Sequence, residues 1–568
     1  MSSLYVSSRL PEELDPYVRA GVVETRDLRA VSSLLRLADT PRSVDTLVWL
    51  ALALVLATPR SGHTCVDLGA IAAWGPDDDA VPKVEWPTDP ARWVAALGTV
   101  PDLVCAPEDV AVMPRRPFVL WGNRVYAARS FAEEKSVAAL LRTAVAEGRL
   151  DVVTGGPGSG KTTHVAGLIV AHMAATDGAD TIALAAPTGL AAKRMDRALR
   201  AAVRRGIADG TIPPAMESAV DALPKLTVHK LLRFNPVART QWGFNASDHM
   251  PYSIVIIDEV SMMPLSMMAR VLEAMAPTAR LVLVGDPFQL ASVDAGTVLA
   301  DIVKASSKGP GFVKPMPGMH RFPEGSPVAD IAARVKAGDV AGTMEQVRRH
   351  HGATGQARFS WIDPVSDDKG LQGVARSVVE HARELCAIAG AATTEADYRR
   401  VLEFRDSMQV VCAHRRGNLG VSGWNSAVER QLGALARGQW YPGRPVMVTK
   451  NDPFSKLSNG DIGVVCRDAQ GAPVVVFGDA EEVRVLPVSR VPRVETVHAL
   501  TIHKSQGSEF AHTIVVLPRR RSRILTRELL YTGMTRAKPH LTIVATVDAL
   551  EAAVTAEVQR ATGLAEQF

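Results

Sequence analysis

Three apolar runs, each ending abruptly in a polar loop, organise the middle of this chain: Leu150-Asp-Val-Val-Thr154, Ile254-Val-Ile-Ile257 and Leu281-Val-Leu-Val284. Runs rich in branched aliphatics, without the polar alternation of a half-exposed strand, predict parallel strands buried on both faces. Strand, turn and helix alternate from about residue 127 to 305, as a parallel α/β sheet requires. A second α/β lobe is predicted from about 319 to 550. Within it, alternating segments such as Pro445-Val-Met-Val-Thr449 and Gly463-Val-Val-Cys466 predict a small β insertion. The Gly- and Pro-rich stretch 309–318 reads as a hinge between the lobes, and 233–251, polar and aromatic with no helical period, as an insertion. Ahead of the lobes, Ala- and Leu-rich segments at 31–37 and 46–57 have helical spacing and predict a small helical domain, interrupted by a linker-like stretch from Trp74. The segment Phe118-Val-Leu-Trp-Gly-Asn-Arg-Val-Tyr126 reads as a hairpin opening the first lobe. With 568 residues, the chain is too long for one core. The predicted division is 1–110, helical; 111–305, first lobe; and 306–568, second lobe, with the β insertion at about 441–490.

Composition narrows the class. Hydrophobic and charged contents of 47% and 22% are those of a soluble globular protein. The longest apolar run, residues 47–57, falls well short of the ~20 residues needed to cross a bilayer and predicts a buried helix. Five scattered cysteines without C-x-x-C spacing argue against a zinc site, an iron–sulfur cluster or a disulfide scaffold and fit a reducing compartment. The start of the chain has no basic-plus-apolar signal, so a cytosolic protein is expected. The net charge of +4 permits nucleic-acid binding without demanding it. The run Arg519-Arg-Arg-Ser-Arg523 reads equally as a solvated loop or a nucleic-acid contact.

The chemistry lies where the apolar runs end. After the first come Gly155, Gly156, Pro157, Gly158, Ser159, Gly160, Lys161, Thr162 and Thr163, the phosphate-loop pattern G-x-x-x-x-G-K-[ST]. Its glycines let successive N–H groups converge on phosphate oxygens, and the following helix adds its positive end. Lys161 would reach the β- and γ-phosphates, and the Thr162 hydroxyl would bind Mg²⁺. The second run ends in Asp258-Glu259. Asp258 is expected to hold Mg²⁺ through water, and Glu259 to polarise the attacking water. The third leads into Gly285-Asp-Pro-Phe-Gln-Leu290, where Gln289 is offered to a γ-phosphate. The implied ligands are a nucleoside triphosphate and Mg²⁺.

These stretches resemble motifs I, II and III of superfamily 1 helicases. Ala186-Pro187-Thr188-Gly-Leu-Ala-Ala-Lys193 is similar to motif Ia, and Thr227-Val-His229-Lys-Leu-Leu232 to the short block after it. Arg321, in His-Arg-Phe, resembles the motif IV arginine. Thr501-Ile-His503-Lys-Ser505-Gln-Gly-Ser-Glu509-Phe510 is similar to motif V, and Leu530-Tyr-Thr-Gly-Met-Thr-Arg536-Ala537 to motif VI. Within the superfamily the chain looks most like the RecD (alpha) subunits of exodeoxyribonuclease V, through residues 447–452 and 457–463.

The resemblance implies two RecA-like motor lobes and an SH3-like β insertion. It also implies an ATP-dependent 5′→3′ DNA helicase or translocase working with RecB-like and RecC-like subunits in double-strand break repair and recombination. Arg321 and Arg536 would be arginine fingers, and Glu509 would join the nucleotide site. Pro187, Thr188, His229, Thr501, His503 and Ser505 would hold single-stranded DNA. The N-terminal domain would dock on a partner. Many relatives carry a Gln before the phosphate loop that reads adenine; residues 131–137 contain none, which leaves base preference open. No nuclease-like carboxylate cluster stands outside the motor motifs, so DNA cleavage is expected from a partner. A nucleoid-associated cytoplasmic protein is expected. The alternative is a free-standing superfamily 1B helicase.

Overall fold

The computed structural model describes residues 10–38, 44–74, 84–109, 116–175, 181–235, 238, 241–307, 311–316, 318, 325–352, 357–452, 454–479 and 481–568. Two parallel sheets form the body. In the first, strands run in the order Val313–Pro315, Leu150–Thr154, Arg280–Gly285, Ile254–Ile257, Ile182–Ala186, Lys225–Thr227, every neighbouring pair parallel. The second has the order Arg358–Ile362, Ala537–Val544, Phe510–Val516, Met408–Cys412, Ala499–Thr501, again all parallel. The apolar runs occupy the inner strands, and helices bury both faces. The motif-bearing loops therefore leave the carboxyl ends of their strands, where open α/β sheets bind ligands.

Between two strands of the second lobe, Pro445–Val448 through Val494–Thr496 form a five-stranded antiparallel sheet with its own small core. It leans on the first lobe through the helix Gly189–Ala208. Lys193 pairs with Asp461 at 3.8 Å and Arg197 with Asp479 at 2.7 Å.

Two expectations need correction. The segment expected to be a hinge contributes an edge strand to the first sheet: Val313 pairs with Val152, and Met316 N donates to the Thr154 carbonyl at 2.6 Å. The N-terminal region is helical, with Thr25–Leu37, Thr46–Ala57 and Pro90–Leu97, but also holds a four-stranded sheet. Its two central strands are the hairpin Phe118–Trp121 and Arg124–Ala127 expected to open the first lobe. Outer strands of two and three residues, Val104–Cys105 and Cys65–Asp67, are too short to show a period. The run at 47–57 lies in a helix buried nearly all round, as expected.

The C-terminal segment leaves the second lobe after the helix Val547–Thr555 and crosses to the other two bodies. Arg560 donates to the carbonyls of Asp294 and Gly296, each at 3.0 Å, and Ala561 N donates to His63 Nδ1 at 2.8 Å. Phe568 stacks on Phe312, and Glu566 pairs with Arg124. At the centre lies Glu134, fully buried, which accepts hydrogen bonds from Thr64, Thr562, Gly563 N and Gln567. One carboxylate thus joins the N-terminal region, the first lobe and the tail.

Asp301 shares Thr562 with Glu134: the hydroxyl lies 3.2 Å from Asp301 and 3.1 Å from Glu134. The single Thr562 O–H is shared between two buried carboxyls, and Asp301 also accepts from the Thr297 hydroxyl at 3.0 Å. Burial, with Glu134 nearby, pushes Asp301 up to about 7. Asp301 in the folded state keeps its proton at pH values where the unfolded chain has lost it. Its contribution to stability is full below its unfolded pKa near 4 and is lost as pH rises towards 7. Asp301→Asn, which keeps the shape without the charge, is expected to match wild type near pH 4 and to raise the thermal midpoint by at least about 2 °C at pH 8. Melting curves at several pH values check this; a gain independent of pH would show that the Asp301 charge does not matter.

Candidate active site

The turn after Leu150–Thr154 has the left-handed backbone its sequence requires, with Gly158 at φ +77° and Gly160 at φ +85°. The helix Lys161–Ala175 begins directly after it. Lys161 folds onto its own loop, donating to the carbonyls of Gly155 and Gly156, the latter at 2.9 Å. The Ser159 hydroxyl is buried in the loop without a hydrogen-bond partner among the described residues. An orphaned hydroxyl among inward-turned glycines suits an anion such as a phosphate. Thr162 is half-buried at the mouth and Thr163 exposed.

Asp258 extends the Ile254–Ile257 strand by one bond, its N–H donating to Ala185 O at 2.9 Å. Glu259 then takes a left-handed conformation, φ +54°, with its N–H on Asp258 Oδ1 at 2.8 Å. A non-glycine residue in that region is strained, and such strain clusters at functional sites. Gly285 lets the turn after Glu259 and the helix Val298–Ser306 close in: a Cβ there would sit 2.7 Å from Leu299 and 3.3 Å from the Val260 and Ser261 nitrogens. Next to it Asp286 is buried, accepting from Phe288 N at 3.1 Å and from the Gln289 amide at 3.3 Å.

Three carboxylates thus face one ammonium. Burial, with the charge of Glu259 adding to it, pushes Asp258 up to about 6, and burial also raises Asp286. Burial pulls Lys161 down while Asp286, Glu259 and Asp258 hold it up. Across the cleft, Arg536 is 1% exposed and donates to Thr532 O at 3.0 Å, Ser508 O at 3.3 Å and the Thr535 hydroxyl at 3.3 Å. Burial lowers its pKa, while the charges of Glu259 and Asp286 raise it. It makes no ion pair among the described residues.

Lys161, Asp258, Glu259, Gln289 and Arg536 therefore come together. Arg321 lies outside the described residues. Glu509 ion-pairs with Arg194 from the first lobe, with Lys538 at 3.9 Å. Two residues given no role on the sequence belong to this constellation. Asp286 stood in plain view inside the Gly-Asp-x-x-Gln-Leu stretch. Arg194, on the helix after Thr188, interacts electrostatically with Glu259 and Asp258 but reads in sequence as an ordinary solvated helix charge.

The expected strand-holding residues are less uniform. Pro187 and Thr188 end the strand Ile182–Ala186, and Thr188 caps the following helix, accepting from Ala191 N at 3.1 Å. His229 is exposed, 6.1 Å from Trp242 in a stacked arrangement and 5.3 Å from Phe234, so the 233–251 insertion sits against it. Thr501 accepts from Lys504 N at 3.2 Å, and His503 is half-buried beside it. Ser505 is 0% exposed and donates to Ile502 O at 2.7 Å, so in this structure its hydroxyl closes the turn from inside.

Family models match along the chain: the RecBCD enzyme subunit RecD N-terminal domain at residues 20–126, an AAA domain at 134–356 and a UvrD-like helicase C-terminal domain at 496–544. The RecBCD enzyme subunit RecD of Mycolicibacterium smegmatis is 38% identical, covering 97% of this chain and 98% of that protein. The same-named subunit of Mycobacterium tuberculosis H37Rv is 36% identical over 96% of this chain and 95% of its own. The ATP-dependent RecD2 DNA helicase of Deinococcus radiodurans is 29% identical over 74% of this chain, but that match spans only 49% of the relative. The chain belongs to the family of RecBCD enzyme RecD subunits.

Proposed function

We propose that this chain is the ATP-driven 5′→3′ DNA helicase subunit of a RecBCD-type exodeoxyribonuclease V, acting on broken DNA ends in repair and recombination. The observation that carries the reading is end-to-end similarity to RecD subunits, including the N-terminal domain model. The free-standing helicase is the weaker reading, because the RecD2 relative matches over about half its own length.

In this reading the phosphate loop and Lys161 grip the β- and γ-phosphates. Thr162 and Asp258 would hold Mg²⁺, which would neutralise phosphate charge when bound. Glu259 takes the proton of the attacking water, and Gln289, oriented by Asp286, reads the γ-phosphate. Arg536 meets that phosphate from the second lobe, so triphosphate closes the cleft and hydrolysis lets it open. Thr188, His229, Thr501 and His503 grip the DNA backbone alternately. The N-terminal domain docks on a RecC-like subunit, a RecB-like subunit supplies the second motor, and cleavage belongs to a partner. The setting is the cytoplasm, at the nucleoid. No helix among the described residues is long and apolar enough to cross a membrane.

The test is strand displacement by the full chain, alone and reconstituted with RecB-like and RecC-like subunits whose own motor is disabled. The expected result is ATP-dependent opening of duplexes with a 5′ tail, none with a 3′ tail, and a large gain on reconstitution. Full activity from the isolated chain favours the free-standing reading, and 3′-tail preference overturns the polarity.

A further inference from the structure

Leu290 follows Gln289 in the first lobe, yet its 5% exposed side chain lies in the apolar core of the second lobe, among Ile502, Leu530 and Met534. Its backbone is held there too. The Leu290 N–H donates to the Thr532 hydroxyl at 2.9 Å, and its carbonyl accepts from the Gln506 amide at 3.0 Å. Both partners are buried. A strand-end leucine would ordinarily pack beneath its own sheet. Here Leu290 enters the other lobe, with side chain, donor and acceptor all satisfied there.

What those partners touch gives the contact its meaning. Thr532 O accepts from Arg536 Nε at 3.0 Å, so the residue clasping Leu290 also holds the arginine facing the triphosphate site. Gln506 ends the turn that carries Thr501 and His503, its N–H on His503 O at 3.3 Å. On the other side, Gln289 N donates to Asp286 O at 3.1 Å, and its amide to the Asp286 carboxylate. Gln289 thus lies between a residue fixed to the first lobe and one fixed to the second. Relative motion of the lobes must bend the chain at Gln289 or break the clasp, and breaking it would expose two buried polar groups and a leucine.

We propose that Leu290, clasped by Gln506 and Thr532, is a positioning residue that joins the lobes mechanically. Movement of the second lobe is delivered to Gln289, and the nucleotide state read at Gln289 is delivered to the strand-holding turn and to Arg536. This rests on the helicase reading of the same site. The joint is a coupling between two ligand sites, so it appears as the factor by which one ligand changes the affinity of the other.

The experiment measures affinity for a fluorescent single-stranded oligonucleotide with no nucleotide and with ADP–aluminium fluoride, and nucleotide affinity in parallel. Wild type is expected to change its DNA affinity ~10-fold between the two states. Thr532→Val, which removes the clasping hydroxyl, and Gln506→Met should shrink that factor to within ~2-fold while still binding each ligand separately. Thr532→Ser should restore it. A purely structural role would lower both separate affinities together and is not rescued in this way. Undiminished coupling in Thr532→Val and Gln506→Met overturns the joint, as does a wild type that binds both ligands with no cross-effect. A wild type that does not bind single-stranded DNA overturns the helicase reading itself.

Discussion

Lys161→Gln is expected to lower DNA-stimulated ATP turnover at least ~10²-fold, the scale of losing one preorganised charge-stabilising donor, and to weaken nucleotide binding. The ammonium at this position has two tasks. It would contact the phosphates, and its charge balances Asp258, Glu259 and Asp286. Glutamine is neutral and shorter, so the phosphate contact is lost. Asp258, already pushed up to about 6, would lose the nearby cation that lowers it and climb further. A larger share of Asp258 would then be protonated near neutral pH, leaving fewer carboxylates ready for a metal. The fold should survive, because among the described residues the Lys161 amine hydrogen-bonds only to the carbonyls of Gly155 and Gly156 in its own loop. Turnover, nucleotide affinity and a melting curve on one preparation decide the matter. A well-folded Lys161→Gln protein with turnover within ~10-fold of wild type would remove Lys161 from the proposed chemistry.

The parts of the molecule readable from sequence are those where pattern and chemistry coincide. Each central strand combines an apolar run with a motif at its carboxyl end, so Leu150–Thr154, Ile254–Ile257 and Arg280–Gly285 announced both the sheet and the edge where Lys161, Asp258 and Gln289 gather. The strand Val313–Pro315 did not, because a three-residue edge strand set among glycines and prolines has the composition of a hinge. The tail was silent for another reason. Residues 556–568 carry no amphipathic period; they are held by side-chain hydrogen bonds to partners hundreds of residues away, as Thr562 is to Glu134. Ser505 illustrates the limit of motif reading: a hydroxyl within a strand-binding motif can serve the turn itself. Leu290 shows a related limit, since nothing local reveals that a leucine packs in the other lobe.

Arg536→Lys is expected to lower turnover by at least ~10³-fold while leaving the affinity for a non-hydrolysable nucleotide within ~3-fold of wild type. The asymmetry follows from where each group sits. The ground-state grip on the phosphates would come from the first lobe, through the loop and Lys161. Arg536 approaches from the second lobe and serves chiefly the spread charge of the transferring phosphate, which a planar fork matches and a point charge does not. Three of its N–H groups are already committed, to Thr532 O, Ser508 O and the Thr535 hydroxyl, which aims what remains of the fork. A lysine on the same buried backbone cannot make those contacts together, so it would be less firmly aimed. It would also lose charge more readily, because burial lowers an ammonium's pKa as it does that of Lys161. Some stability should go too, since the Thr532 and Ser508 carbonyls lose donors. Affinity for single-stranded DNA separates that structural cost from the catalytic one. Retained nucleotide and DNA binding beside a collapsed turnover number is the expected pattern. Turnover within ~10-fold of wild type would mean that Arg536 holds the second lobe together and nothing more.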